Sequence, residues 1–449
     1  MSNYLFVYPQ INYKKEGTNI YRFDASSSLE NYFEVKNNSF LNNNEQIKIS
    51  KKIYEYIHRH IGTWQRWLSN EEDEINKYRE LHRLVFKILF WLKEKKISKV
   101  IQFTGAPHHV DTVLIEIASR VYGIKSSFFY FEEVLTKTYL PMIRYEFQFK
   151  HYFIEKLKNS DPNIRKVISI FQERVQSKKK ADWIPISYFY KKNITLAFIY
   201  ILLWHFKKKF LDIYSSNNHY REIGLYGDIK SLFKQKKYLN SISKEIKLNR
   251  THRKIKKNNI IIYGHYQPES TTLSEGGDFR DQIEILKFLK HSGYSDNIFY
   301  KEHKSSFLYI DKTIGPTRVG LWKNENFLKN LKNYNAQLIF DDSDIDNPII
   351  ITCTGSIAIE RSLQGLKTII CGYPWYGEIP GSVRLENVKW TDQEDLDSLK
   401  NSSKNIKKEA EIFLHNILSY GLYRDHNQKN IEFSNFHTIS NFLDLFLET

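Results

Sequence analysis

Residues Ile349–Gly372 read "IIITCTGSIAIERSLQGLKTIICG", and this stretch decides the fold class. An apolar run over Ile349–Cys353 predicts a buried strand. It breaks at Thr354-Gly355-Ser356, where a helix starts. The helix runs over Ser356–Leu363, Gly365 ends it, and Thr368–Cys371 forms the next strand. Strand, helix and strand in that order imply a parallel sheet.

The same grammar extends upstream. Strand Asn259–Tyr263 leads through a polar loop into helix Phe279–His291. Strand Asn297–Lys301, a helix near Asn324–Lys332 and strand Gln337–Phe340 follow, and helices around Asn405–Tyr420 and Asn435–Phe446 close the chain. A second unit of this kind stands near the beginning. Strand Tyr4–Tyr8 and helix Leu81–Lys96 precede strand Val100–Phe103, helix Val110–Tyr122 with Gly123 as its C-cap, and strand Ser126–Phe131.

The expected architecture is therefore α/β, with two Rossmann-like domains facing a cleft. The expected boundaries are 1–175 for the first domain and 258–425 for the second. A terminal helix at 426–449 is expected to pack back on the first domain. The length of 449 residues fits this division, because one core rarely serves so long a chain. Hydrophobic content of 41% with 15% aromatics supports real cores rather than wholesale disorder. Cys353 and Cys371 are the only cysteines, which excludes a disulfide framework and suits a reducing cytosol. Met1–Gln10 has no basic start and only a short apolar run, so no secretory signal is expected.

Between the domains lies a basic, aromatic stretch, 176–257. Its apolar centre, Ile194–Trp204, is flanked by lysines and is too short to cross a bilayer, which takes about 20 residues. Either it is a core helix with solvated lysines, or it rests on an anionic leaflet with its aromatic face in the headgroups. The net charge of +16 needs an anionic partner. Nucleic acid fits poorly, because no binding motif accompanies the basic cluster.

Four loops carry the candidate chemistry. In the first, Gly355 allows close backbone approach, Ser356 can cap the following helix, and exposed amides at the turn favour phosphate. Glu360 stands one turn in, within reach of ribose hydroxyls. The second, "IFYKEHKSSF", ends a strand with Lys301, Glu302, His303 and Lys304, then Ser305, a set able to clamp a phosphate and base. The third, "YGHYQPESTTLSEGGDF", offers His265, Gln267 and Glu269. There His265 is a candidate to neutralise leaving-group charge, and Gln267 to hold a sugar hydroxyl or carboxylate. The fourth pairs "TGAPHHVDTV" with "YFEEV". It supplies His108, His109, Asp111, Glu132 and Glu133 as candidate bases or nucleophiles, with helix capping as the plainer role for Asp111. No metal site is expected: the "DDSDID" run at Asp341–Asp346 follows a different strand and reads as a turn.

The segments "YGHYQPESTTLSEGGDFRDQ", "YKEHKSSF" and "TCTGSIAIERSLQGLKTIICGYPWY" together resemble the bacterial capsular polysaccharide biosynthesis glycosyltransferases, a group that includes transferases of Kdo and related ulosonic acids. The likeness spans roughly Ile260–Gly381. It implies a GT-B fold, a nucleotide-sugar donor on the C-terminal half and an acceptor on the N-terminal half. It also implies that Thr354, Gly355 and Ser356 hold phosphate, that Glu360 holds ribose, and that His265, Gln267 and Glu269 face the transferred sugar. Family members using CMP-activated acids carry a His-Pro pair where this chain has His303 followed by Lys304.

The function expected from these residues is a peripheral, cytosolic, metal-independent transferase. It would move a CMP-linked ulosonic acid onto a lipid-linked or growing surface polysaccharide. A carboxylate of the N-terminal half would act as base or as covalent nucleophile, with opposite stereochemical outcomes. The competing readings are a UDP- or GDP-hexose transferase, a nucleotide-sugar epimerase, and a non-catalytic nucleotide-binding scaffold.

Overall fold

A computed structural model of the chain describes residues 2–7, 16–23, 29–34, 43–59, 74–103, 110–135, 138–145, 151–153, 168–173, 193–210, 225–249, 258–266, 275–279, 281–311, 315–339, 345–418 and 422–423. The chain divides into two compact units. Unit 1 comprises Met1–Val167, Ser215–Glu222 and Asn416–Thr449; unit 2 comprises Ile168–Tyr214 and Ile223–His415.

In unit 1, strands β1 (Ser2–Val7), β2 (Thr18–Phe23), β3 (Ile97–Gln102) and β4 (Lys125–Leu135) are mutually parallel in the order β2-β1-β3-β4. Helices α1 (Asn43–Arg59), α2 (Glu74–Glu94) and α3 (Val110–Tyr122) accompany them. A single core joins Leu5 and Val7 of β1, Leu84 and Ile88 of α2, and Leu114, Ile117 and Ala118 of α3. The sheet then changes character. β5 (Thr138–Tyr145) pairs antiparallel with β4, and β6 (His151–Phe153) and β15 (Leu422–Tyr423) pair antiparallel with β5. The chain thus returns to unit 1 after completing unit 2. The expected helix at 426–449 lies outside the described residues.

Unit 2 holds a six-stranded sheet, all parallel. Its strands are β7 (Asn259–Tyr263), β8 (Asn297–Lys301), β11 (Ala336–Ile339), β12 (Ile349–Thr352), β13 (Thr368–Ile370) and β14 (Ser382–Arg384), in the order β11-β8-β7-β12-β13-β14. A small hairpin, β9 (Ile310–Asp311) with β10 (Gly315–Pro316), interrupts the series. Counted along the chain the order is 3-2-1-4-5-6, the doubly wound arrangement of dinucleotide-binding folds.

The isoleucine runs explain why β7 and β12 take the centre. Ile260, Ile262, Ile349 and Ile351 enter one core layer with Leu286, Leu289, Phe327 and Leu331. Those four come from α6 (Ile283–His291) and α7 (Glu325–Asn333). Ile261 and Ile350 alternate to the opposite layer with Phe299, Ile339 and Ile345. A strand buried on both faces must be apolar at every position, and each such isoleucine contributes about 1.5–3 kcal/mol by leaving water. Helix α8 (Ile357–Ser362) follows β12, and α9 (Lys404–Leu418) ends the unit. Gly365 adopts φ +80°, as the expected helix stop requires.

The two described helices of the basic stretch, α4 (Ile194–Phe210) and α5 (Leu225–Asn249), belong to unit 2. Ala197 and Ile201 of α4 pack with Leu232 of α5 and with Tyr309 and Ile310 of the hairpin. Tyr238 and Ile242 of α5 enter the core under the sheet. A buried cluster locks the pair: Asp228 of α5 receives Arg318 Nε at 2.7 Å and sits 2.8 Å from His205 Nε2 of α4. No described helix is long and apolar enough to cross a membrane.

Candidate functional site at the carboxyl edge of the unit 2 sheet

The strand order reverses between β7 and β12. In an open parallel sheet that reversal opens a crevice at the carboxyl ends, because the loops there diverge to opposite faces. Gly264 carries the chain out of β7. Its amide donates to Lys301 O at 2.7 Å, and a Cβ there would fall 2.5 Å from Tyr300 Oη and 2.8 Å from Lys301 O. Only glycine passes so close to β8.

His265 comes next and is buried. Its Nε2 accepts the Cys353 and Thr354 amides, each at 3.2 Å, and lies 3.1 Å from Thr352 Oγ1. Thr352 Oγ1 in turn accepts the Gly355 amide at 3.1 Å. Two amide donors on Nε2 assign the ring proton to Nδ1. Burial foremost, then the neighbouring His303 and Lys323, bring the imidazole pKa down to about 3. His265 is therefore neutral in the folded protein near neutral pH. It holds the first loop in shape and is not a cation awaiting a leaving group.

The first loop differs from expectation in detail. Ser356 is the residue before α8, but its hydroxyl makes no capping bond. It donates instead to Glu360 Oε1 at 3.4 Å. The reason lies in the backbone: Ser356 is already αR, with φ −57° and ψ −12°, rather than in the extended conformation a capping side chain needs. With His265 accepting two amides and Thr352 a third, the Ser356 and Ile357 amides are the ones without an acceptor among the described residues.

On the neighbouring strand, Lys301 Nζ lies 3.4 Å from Tyr263 Oη and 4.6 Å from the centre of its ring. His303 is exposed, with its ring 6.4 Å from that of Tyr266, and Ser305 lies in the 3-10 turn Lys304–Phe307. Glu302, between them, turns inward. Its Oε1 accepts the His303 amide at 2.9 Å and Ser306 Oγ at 2.8 Å. Its Oε2 accepts Tyr238 Oη and stands 3.7 Å from the buried Lys323 ammonium. Lys323 also donates to Tyr300 Oη, which donates to Gln282. Desolvation pulls the Lys323 pKa down, and Glu302 opposes that shift. Burial pushes both tyrosines well up. Glu302 thus fixes the turn that presents His303 and leaves ligand contact to its neighbours.

Two residues of this edge escape a reading of the sequence. Arg384, at the end of β14, donates to the carbonyls of Cys371 and Gly372 and stacks 4.4 Å over the Tyr373 ring. β14 has three residues, too few for a pattern to register. Tyr373 stands in the "CGYPWY" segment, but nothing local marks Arg384 as its partner.

The structure therefore brings together His265, Lys301, His303, Thr354, Gly355, Ser356 and Glu360 along adjacent strand ends. Gln267, Glu269 and His109 lie outside the described residues. Asp111 is in unit 1, buried in the first turn of α3. Glu132 and Glu133 do not follow a strand, as the sequence suggests. β4 continues to Leu135, and the two sit within it, their backbones paired with Leu140 and Tyr139 of β5. Among the described residues no three His, Cys, Asp or Glu side chains cluster as a metal site.

These features define an α/β chain with two sheets built on parallel strands, four in unit 1 and six in unit 2. The sequence matches no protein-family model and no curated protein.

Proposed function

We propose that this chain is a glycosyltransferase of GT-B type. Unit 2 binds a nucleotide-activated donor, most naturally a CMP-linked ulosonic acid. Unit 1 binds the acceptor, a lipid-linked or growing surface polysaccharide, and the enzyme works at the inner face of the cytoplasmic membrane. The observation that carries the reading is that His265, Lys301, His303 and the Thr354–Ser356 turn stand at the carboxyl ends of adjacent strands beside the reversal of a 3-2-1-4-5-6 sheet.

Each side chain then has a task. The Ser356 and Ile357 amides receive donor phosphate, with Lys301 and His303 supplying positive charge as the phosphate leaves. Glu360 accepts from ribose hydroxyls. His265, neutral and buried, keeps the Thr354–Ser356 turn in its receiving shape. Asp111, Glu132, Glu133 and His109 of unit 1 remain the candidates for activating the acceptor or attacking the sugar. The proposed transfer uses no metal.

The test is a thermal-shift panel with CMP, CDP, UDP, GDP and ADP on the wild type, Ser356→Trp and His303→Ala. Stabilisation by CMP, lost in both variants, is the expected result. Stabilisation by UDP or GDP instead replaces the sugar class and keeps the site. No shift with any nucleotide, backed by a direct binding measurement, removes the donor site.

A further inference from the structure

We infer that α4 and α5 form a docking face for an anionic bilayer surface. This gives residues to the peripheral location proposed above, and its test uses neither donor nor acceptor.

Helix α4 is apolar on two sides. Ala197, Ile201 and His205 are buried against the rest of unit 2. On the opposite side Ile199, Leu202, Leu203 and Phe206 follow the i, i+3, i+4, i+7 spacing of one helical face, with relative exposures from 38% to 68%. Singly exposed apolar residues are ordinary, whereas four in one stripe mark an interaction surface. The stripe runs directly into Lys207, and α4 contains no acidic residue. On α5 the exposed Tyr226 and Phe233 share a face with Lys230 and Lys237, and Lys236 is exposed beside them. The Asp228–Arg318–His205 cluster holds the two helices in fixed relation beneath these faces.

Charge selects the occupant. A second copy of the chain meeting this face across a two-fold axis would bring two copies of the same basic patch together. An anionic leaflet supplies the opposite charge, and each lysine near it strengthens binding about fivefold. The apolar stripe then enters the headgroup boundary lengthwise, the posture of an interfacial helix.

The experiment is co-sedimentation of the full chain with vesicles of phosphatidylcholine alone, and of phosphatidylcholine mixed with phosphatidylglycerol. The wild type should bind the mixed vesicles, more weakly at high salt, and should bind the neutral ones far less. Leu203→Ser combined with Phe206→Ser should weaken binding at least tenfold. Lys236→Glu with Lys237→Glu should do the same on mixed vesicles only. Both pairs are exposed, and unchanged thermal melting verifies that each variant folds. No wild-type binding to mixed vesicles overturns the inference. So does binding indifferent to the apolar pair, which leaves a general polyanion surface. A dimer in light scattering that dissociates in the apolar variant, without vesicle binding, assigns the face to a second copy instead.

Discussion

The two sheets begin alike and end differently. Each opens with strands paired in parallel. Unit 2 keeps parallel pairing through six strands, its winding reverses once, between β7 and β12, and His265, Lys301 and the Thr354–Ser356 turn stand at the strand ends there. Unit 1 abandons parallel pairing after β4, and β5, β6 and β15 add antiparallel ribbon to its edge. The lesson concerns where polar residues can go. A parallel sheet covered on both faces excludes them from its strands and concentrates them at carboxyl ends. An antiparallel extension has no such requirement, and Glu132 and Glu133 lie within a strand.

Unit 2's edge is also held by buried polar groups, Glu302 and Lys323 foremost. Lys323→Met should have the largest effect. It strands Glu302 in the interior, and breaking a buried pair costs about 3–5 kcal/mol. Urea unfolding followed by tryptophan fluorescence measures it. Adding Glu302→Leu should recover much of the loss, since no isolated charge then remains. A loss below about 1 kcal/mol for Lys323→Met would show that this network is not what holds the edge.

His265 couples the same edge to pH. Its folded pKa is depressed to about 3, while the unfolded value is about 6.5. Between those values the unfolded chain binds the proton and the folded one does not. Stability is therefore fully present above pH 6.5 and falls as the pH drops towards 3. From pH 7 to pH 5 this one group should account for about 2 kcal/mol. His265→Gln keeps an acceptor for the amides but cannot titrate, so it should flatten that part of the profile. Identical pH profiles for the two proteins would mean that folding leaves the His265 pKa where it stands in the unfolded chain.

The smallest effect separates ligand-facing groups from structural ones. Asn324 caps α7 through its side chain, which accepts from the Asn326 and Phe327 amides at 3.0 and 3.2 Å. Asn324→Ala should cost about 1 kcal/mol. Ser356 makes no such bond, and Ser356→Ala should stay within about 0.5 kcal/mol. Equal losses in thermal or urea unfolding would return Ser356 to an ordinary capping role.

Much of unit 2 was legible before folding was considered. β7 and β8 are found at the residues expected, because short β-branched and aromatic runs bounded by polar loops have few other solutions. α3 in unit 1 matches for a related reason: its apolar spacing is regular and Gly123 stops it. β5 was not legible, since Pro141 sits inside "TYLPMIRY" and argues against a strand. β2 lies in a polar stretch and takes its place through pairing with β1. Glu302 and Lys323 are 21 positions apart, and no local pattern announces that one will neutralise the other.

The amino-acid sequence by itself determined the α/β class, the central strands, and the positions at which polar loops interrupt them. Those follow from hydrophobic periodicity and turn residues, which act over a few neighbours. Tertiary structure alone decided the 3-2-1-4-5-6 order, the inward turn of Glu302, the stacking of Arg384 on Tyr373 and the neutrality of His265. Each depends on groups far apart in the chain meeting where water is excluded, and there a charge or a hydrogen bond has a different worth than it has in solvent.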